Sequence, residues 1–143
     1  MMMCLMHKKS VLFICKHNSA RSQMAEGILN VLYGDKYVAY SAGIEPMKVN
    51  PYAIKVMAEI GIDISGHQAK SIQEFRTKHF DYVVTVCDDA KESCPFFPGD
   101  IVLHKGFQDP SEFNGTDNEI LKKVRQVRDE ITDWIQETFG KEK

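Results

Sequence analysis

The 143-residue chain has no apolar run near the roughly 18–20 residues needed to span a bilayer, so no membrane-spanning helix is expected. It has no excess of charge: a net charge of −2 gives no electrostatic footprint for nucleic acid or for an anionic membrane. Internal repeats, low-complexity tracts and linkers are absent, and the length suits one domain. The start, Met1-Met2-Met3-Cys4-Leu5-Met6-His7-Lys8-Lys9, places its charges after its apolar residues, the reverse of a secretion signal. Residues 1–9 are expected to form a disordered extension, with a single domain over 10–143, in the cytoplasm. Cysteine is scarce, at four residues, and in that compartment a disulfide is usually transient and catalytic. Cys4 and His7 form a lone Cys-x2-His with no second ligand pair, so no metal is expected there.

What is present is an alternation of strands and helices. Val11-Leu12-Phe13-Ile14 reads as a first strand. From Ala20 to Tyr33, Met24, Ile28, Val31 and Leu32 share one helical face, with Gly34 as the stop. Tyr37 to Tyr40 reads as a short strand closed by Ser41-Ala42-Gly43. Asn50 caps a second helix opened by Pro51, with Ile54, Met57 and Ile60 inward and Gly61 ending it. Ser71 to Phe75 suggests a helical turn. Tyr82 to Val86 is a β-branched run of the kind buried on both faces, and Ile101-Val102-Leu103 is another strand. Asp117 to Phe139 carries Ile120, Val124, Val127, Ile131, Trp134 and Thr138 at helical spacing. The pattern predicts a single-domain α/β fold, a small, mostly parallel, four-stranded sheet with helices on both faces.

The chemistry concentrates where the first strand meets the first helix, at Cys15-Lys16-His17-Asn18-Ser19-Ala20-Arg21-Ser22. A loop running into a helix leaves backbone N–H groups without intrahelical partners. Together with the positive end of the helix dipole these make an anion site. The loop from Lys16 to Ser22 is therefore the expected oxyanion cradle. Arg21 adds a planar fork that binds two oxygens at once. Cys15 lies in the field that stabilises a thiolate, the nucleophilic form, and Ser22 can hydrogen-bond to it. Taken alone, Cys15 would be a small buried hydrophobe and Arg21 a surface residue. The strand before and the helix after argue for the functional reading.

In parallel sheets, ligands bind beyond the carboxyl ends of the strands. Cys15 follows the first strand, Cys87 follows the run ending at Val86, and Asp109 lies a few residues beyond Leu103. Asp109 precedes Pro110 and suits either a turn or a general acid that protonates a departing oxygen. Cys87 and Cys94 are either separate thiols or a relay in which Cys87 attacks the Cys15 sulfur and Cys94 then attacks Cys87. If the residues between them formed a helix, the two sulfurs would be roughly 10 Å apart along its axis. A disulfide needs Cα atoms within about 7 Å, so the segment would have to unwind. The reading is a bistable switch over 87–94.

From Ser10 to the last helix the chain resembles the thioredoxin-coupled arsenate reductases, which share the fold of low-molecular-weight protein tyrosine phosphatases. The resemblance rests on Val11 to Gly27, Tyr40-Ser41-Ala42-Gly43-Ile44-Glu45, Val83 to Ala90, Cys94-Pro95 and Gly106-Phe107-Gln108-Asp109-Pro110. It implies that Cys15 attacks arsenate held by the loop and Arg21, and that Asp109 protonates the departing oxygen. It further implies that Cys87 displaces arsenite, Cys94 resolves the disulfide, and thioredoxin reduces the Cys87–Cys94 bond. No cofactor is implied, and phosphate and sulfate would compete for the loop. In such proteins Asn18 shapes the loop and Ser22 tunes the nucleophile.

Two departures matter. Ala20 stands where many members have a second loop cysteine, at no cost to the relay. Members that bind potassium beside the loop use Asn, Glu, Ser and a carboxylate. Asn18, Glu26 and Ser41 match, but Lys70 replaces the carboxylate. Either its ammonium neutralises Glu26 in place of the ion or it is a solvated lysine, and potassium-independent turnover is expected. Ser111 follows Asp109-Pro110 where phosphatases of this fold commonly present Tyr. A phosphatase needs the same cradle but has no use for Cys87 and Cys94. Reductases linked to mycothiol or glutaredoxin would not require both, and a non-enzymatic oxyanion or redox sensor would look the same in sequence.

Overall fold

The computed structural model describes residues 8–88 and 96–140. Four strands, β1 (Lys9–Cys15), β2 (Tyr37–Gly43), β3 (Tyr82–Thr85) and β4 (Ile101–His104), form one sheet in the order β2-β1-β3-β4. Every pairing is parallel. Three α-helices, α1 (Arg21–Tyr33), α2 (Pro51–Ala58) and α3 (Asp117–Phe139), accompany two 3-10 turns, Ile72–Phe75 and Pro110–Glu112. The strand β1 takes in Lys9, the last residue the sequence assigned to the extension.

The central strand explains the layering. Its side chains alternate, so Val11, Phe13 and Cys15 enter one buried cluster and Leu12 and Ile14 the other. The first cluster receives all three α-helices, through residues such as Met24, Ile28, Ala53, Met57, Val124 and Ile131. The second is covered by the Ile72–Phe75 turn and by Phe80 and Phe97. Phe80 is the hub there, with its ring centroid 5.6–6.1 Å from those of Tyr40, Phe75 and Phe97. Each edge-to-face pair adds about 0.5–1.5 kcal/mol beyond burial.

The helix starts follow their sequence signals in two cases. Asn50 caps α2 by accepting from the Tyr52 and Ala53 N–H groups, with Pro51 in the first turn. Thr116 caps α3 in a reciprocal box with Glu119.

Several inward faces differ from the expected ones. In α1, Ala25 and Leu29 are buried beside Met24 and Ile28, while Val31 and Leu32 are 60% and 42% exposed. The last turn of α1 thus overruns the covered face. In α2, Ala53, Val56 and Met57 are buried and Ile60 is exposed, because the helix ends at Ala58. On α3 the fully packed stripe runs through Leu121, Val124, Val127, Ile131, Ile135 and Phe139, with Ile120, Trp134 and Thr138 only partly buried at its margin. The strand β2 extends through Gly43 rather than stopping at Tyr40, since Ser41, Ala42 and Gly43 continue the register against Phe13, Ile14 and Cys15. Lying at the sheet edge, β4 has Ile101 and Val102 nearly half exposed.

Among the described residues no helix is long and apolar enough to cross a membrane.

Candidate active site

The parallel register sends the carboxyl ends of β1, β3 and β4 to one rim. Cys15 is the last residue of β1, Cys87 lies two residues past β3, and Asp109 follows β4 by five. Arg21, the first residue of α1, reaches across with Nη2 3.4 Å from Asp109 Oδ2 and Nη1 3.4 Å from the Phe107 carbonyl oxygen. Arg21 is 2% exposed, so its guanidinium acts where water screens it little.

The loop from Cys15 to Arg21 is held from several sides. Asn18 has φ 49, the only non-glycine residue in the left-handed region among the described residues. That conformation is uncommon outside glycine and persists where its surroundings impose it. Here they do. Asn18 Nδ2 donates to Ser22 Oγ at 2.8 Å, and Asn18 Oδ1 accepts from Gln23 Nε2 at 2.9 Å and from the Lys70 N–H at 2.8 Å. Gln23 Nε2 also donates to the Asn18 and Gln68 carbonyls. Asn18, Ser22 and Gln23 are fully buried. The segment after β2 braces the outer side, where the Glu45 and Met47 N–H groups donate to the Lys16 and His17 carbonyls. His17 Nδ1 is bonded to the Glu45 carbonyl, and Ser19 Oγ donates to the Lys48 carbonyl.

Gly43 forms the floor. A Cβ there would lie 2.7 Å from the Asn18 nitrogen and 2.8 Å from the Lys16 oxygen, so only glycine admits the loop.

The nucleophile candidate is equally constrained. Cys15 Sγ is 2.9 Å from Ser22 Oγ, and Cys15 is 1% exposed. The start of α1 has no side-chain cap and no acidic residue in its first turn. Ala20, at the N-cap position, cannot compete for the first-turn N–H groups, which leaves them to an anion.

Cys87 is buried in the same cluster as Cys15. Its Sγ lies 3.9 Å from the carbonyl oxygen of Ile14, the residue before Cys15. Gly106 keeps the next loop close: a Cβ there would sit 3.0 Å from the Cys87 carbonyl oxygen. Asp109 makes the turn that its sequence allowed and also faces Arg21. Its Oδ1 accepts from the Ser111 N–H, a turn contact, while Oδ2 faces Arg21. Cys94 and the helix proposed before it lie outside the described residues, as do Cys4 and His7.

Two members of this assembly were not singled out from sequence. Gln23 falls inside the matching stretch, but its three-way bonding depends on Gln68, 45 residues away. The Phe107 carbonyl carries no side-chain signal at all.

A rim cysteine at an uncapped strand-to-helix turn, faced by arginine and a carboxyl, is the arrangement of enzymes that attack tetrahedral oxyanions through cysteine. The chain belongs to the low molecular weight phosphotyrosine protein phosphatase family, whose model matches residues 10–142. It is 48% identical over 136 residues to arsenate reductase 1 of Staphylococcus epidermidis, covering 94% of this chain and 98% of that protein. It is similar to the solved structure of an arsenate reductase in the phosphate binding state, with TM-score 0.79, 34% identity and coverage of 93% and 98%. A thioredoxin-dependent arsenate reductase of Corynebacterium glutamicum aligns with TM-score 0.61 and 28% identity, over 92% of this chain and 63% of that one.

Proposed function

We propose that this protein reduces arsenate to arsenite through a relay of Cys15, Cys87 and Cys94, with thioredoxin as the external reductant. The observation that carries the reading is a second buried cysteine sulfur beside the first. Cys87 shares the buried cluster of Cys15, and its sulfur lies against the carbonyl of the preceding residue. Hydrolysis of a phosphate ester has no role for that sulfur. The arsenate reductases named above, and the thioredoxin dependence of one of them, point the same way.

Arsenate enters the loop of Lys16 to Ser22, where the N–H groups of the α1 start and the Arg21 fork receive its oxygens. Arg21 turns from Asp109 toward the anion as it does so. Cys15, held by Ser22, attacks arsenic, and Asp109 gives a proton to the departing oxygen, which leaves as water. Cys87 then attacks the Cys15 sulfur. The As–S electron pair stays with arsenic, releasing arsenite, and a Cys15–Cys87 disulfide forms. Cys94 attacks Cys87 and frees Cys15. Two thiols of thioredoxin become a disulfide as the Cys87–Cys94 bond returns to thiols. Such a cycle needs a reducing compartment, which makes the cytoplasm its place of work. Weak phosphatase activity accompanies it, because the same loop, arginine and carboxyl serve phosphate.

The test is arsenate-dependent NADPH consumption with thioredoxin and its reductase. Wild type should turn over repeatedly, and Cys15→Ser, Cys87→Ser and Cys94→Ser should each stop multiple turnover. Full activity in Cys87→Ser would contradict the relay, and a wild type that hydrolyses phosphate esters but consumes no NADPH with arsenate would favour a hydrolase.

A further inference from the structure

Behind the loop, away from Cys15, lies a carboxylate with an unusual counter-charge. Glu26, on α1, has a side chain only 15% exposed. Ser41 Oγ donates to its Oε1, and the Lys70 ammonium stands 3.8 Å from the same oxygen. Lys70 Nζ also donates to the Gln68 carbonyl at 3.1 Å. His67 Nδ1 is 3.9 Å from the other Glu26 oxygen but bonds to Gln23 Oε1 at 2.9 Å.

The backbone of Lys70 is tied into the same assembly. Its N–H donates to Asn18 Oδ1, and its carbonyl accepts from the Gly43 N–H, both at 2.8 Å. One residue therefore touches the strained loop residue, the glycine floor and the carboxylate behind them.

The potassium ligand set that the resemblance implies does not fit here. Asn18 Oδ1 already accepts two hydrogen bonds, which fill its lone pairs. The expected carboxylate is an ammonium, and it faces the one carboxylate that remains. A second cation at this spot would meet like charge at short range.

We propose that Lys70 is a positioning residue of the oxyanion loop, an internal ammonium that balances Glu26 where a bound cation would otherwise be needed. A partly buried carboxylate without a counter-charge draws polar groups toward itself. The groups within reach are Ser41 and His67, and His67 is bonded to the Gln23–Asn18 chain that holds the loop. With Lys70 in place, Glu26 is balanced and Asn18 remains committed to Ser22. The proposal rests on the loop being an oxyanion site, and its test reads binding rather than reduction.

Inorganic phosphate is the probe, titrated calorimetrically into the full chain, with thermal melting in parallel. Wild type should bind phosphate equally in KCl and NaCl of the same ionic strength and melt at the same temperature. Lys70→Met keeps the backbone contacts but removes the ammonium. It should weaken phosphate binding roughly tenfold, the scale of one lost partly buried polar pair, and Lys70→Arg should bind like wild type. The decisive variant is Glu26→Gln combined with Lys70→Met, which leaves no charge to balance and should recover most of the loss. Additive losses in the double variant, or tighter wild-type binding in KCl than in NaCl, would overturn the proposal. Normal phosphate binding without arsenate reduction would instead sink the reductase reading and leave this one standing.

Discussion

The two long helices begin in opposite ways. At α3, Thr116 Oγ accepts from the Glu119 N–H at 3.2 Å, and Glu119 Oε1 accepts from the Thr116 N–H at 2.8 Å. Asp117 and Glu119 place negative charge in its first turn, where the helix dipole favours it. The Thr116 hydrogen bonds hold the Glu119 carboxyl below its usual range. At α1 the N-cap position is Ala20, no side chain caps the turn, and the nearest charge is Arg21. One start is closed by its own side chains, and the other is left open. The open one lies at the sheet rim that holds Cys15. The chain thus stabilises α3 locally and reserves the α1 donors for a ligand, recovering the cost through Asn18, Gln23 and the Gly43 floor.

Breaking the open end should cost activity far more than stability. The largest effect belongs to Arg21→Lys, which keeps the charge but loses the fork and the contacts to Asp109 and Phe107. Arsenate kcat/KM should fall by about two orders of magnitude, the scale of one removed transition-state donor, with a nearly unchanged melting temperature. Gly43→Ala comes next. Its Cβ would stand 2.7 Å from the Asn18 nitrogen, so the loop must shift. A displacement of that kind costs up to about a hundredfold in kcat/KM, with α3 and the far core unaffected in hydrogen exchange.

Breaking the closed end should do the reverse. Thr116→Ala should lower stability by about 1 kcal/mol in urea titration and leave arsenate reduction and phosphate binding at wild-type values. A loss of activity there would mean the two helix starts are coupled. The smallest effect lies between α2 and α3. Arg125, with Arg128 beside it, holds the Glu59 carboxyl down from 4.5 to about 2. A carboxyl with a lowered folded pKa stabilises fully above its unfolded value and loses that contribution as the pH falls toward the folded one. Wild type should therefore lose its advantage over Glu59→Gln between pH 4.5 and 2. Because the pair is solvent-exposed, the advantage should be no more than about 1 kcal/mol, seen in urea titrations across that range.

Much of this was readable from residues alone, for identifiable reasons. The bounds of α3 follow from a periodicity sustained from Asp117 to Phe139, and the strands follow from β-branched runs. The loop announced itself because a cysteine, an arginine and a helix start in that order have one common chemical use. The inward face of α1 was less readable. Met24 and Ile28 fit several stripes, and only the packed structure decides that Leu29 continues inward while Val31 and Leu32 do not. The bracing of Asn18 was out of reach, since Gln68 and Lys70 arrive from a segment whose path the local pattern does not fix. The turn reading of Asp109 is met by its Oδ1, which accepts from the Ser111 N–H, and its pairing with Arg21 joins segments 88 residues apart that no local pattern connects.

The central claim is that Cys87 is the second sulfur of a reduction, reached directly from Cys15. Cys94→Ser should stop the relay after that step. Incubated with arsenate and no reductant, then alkylated and mapped by mass spectrometry, this variant should show one Cys15–Cys87 disulfide for each arsenite released. Unlinked Cys15 and Cys87, with no arsenite formed, would contradict the account.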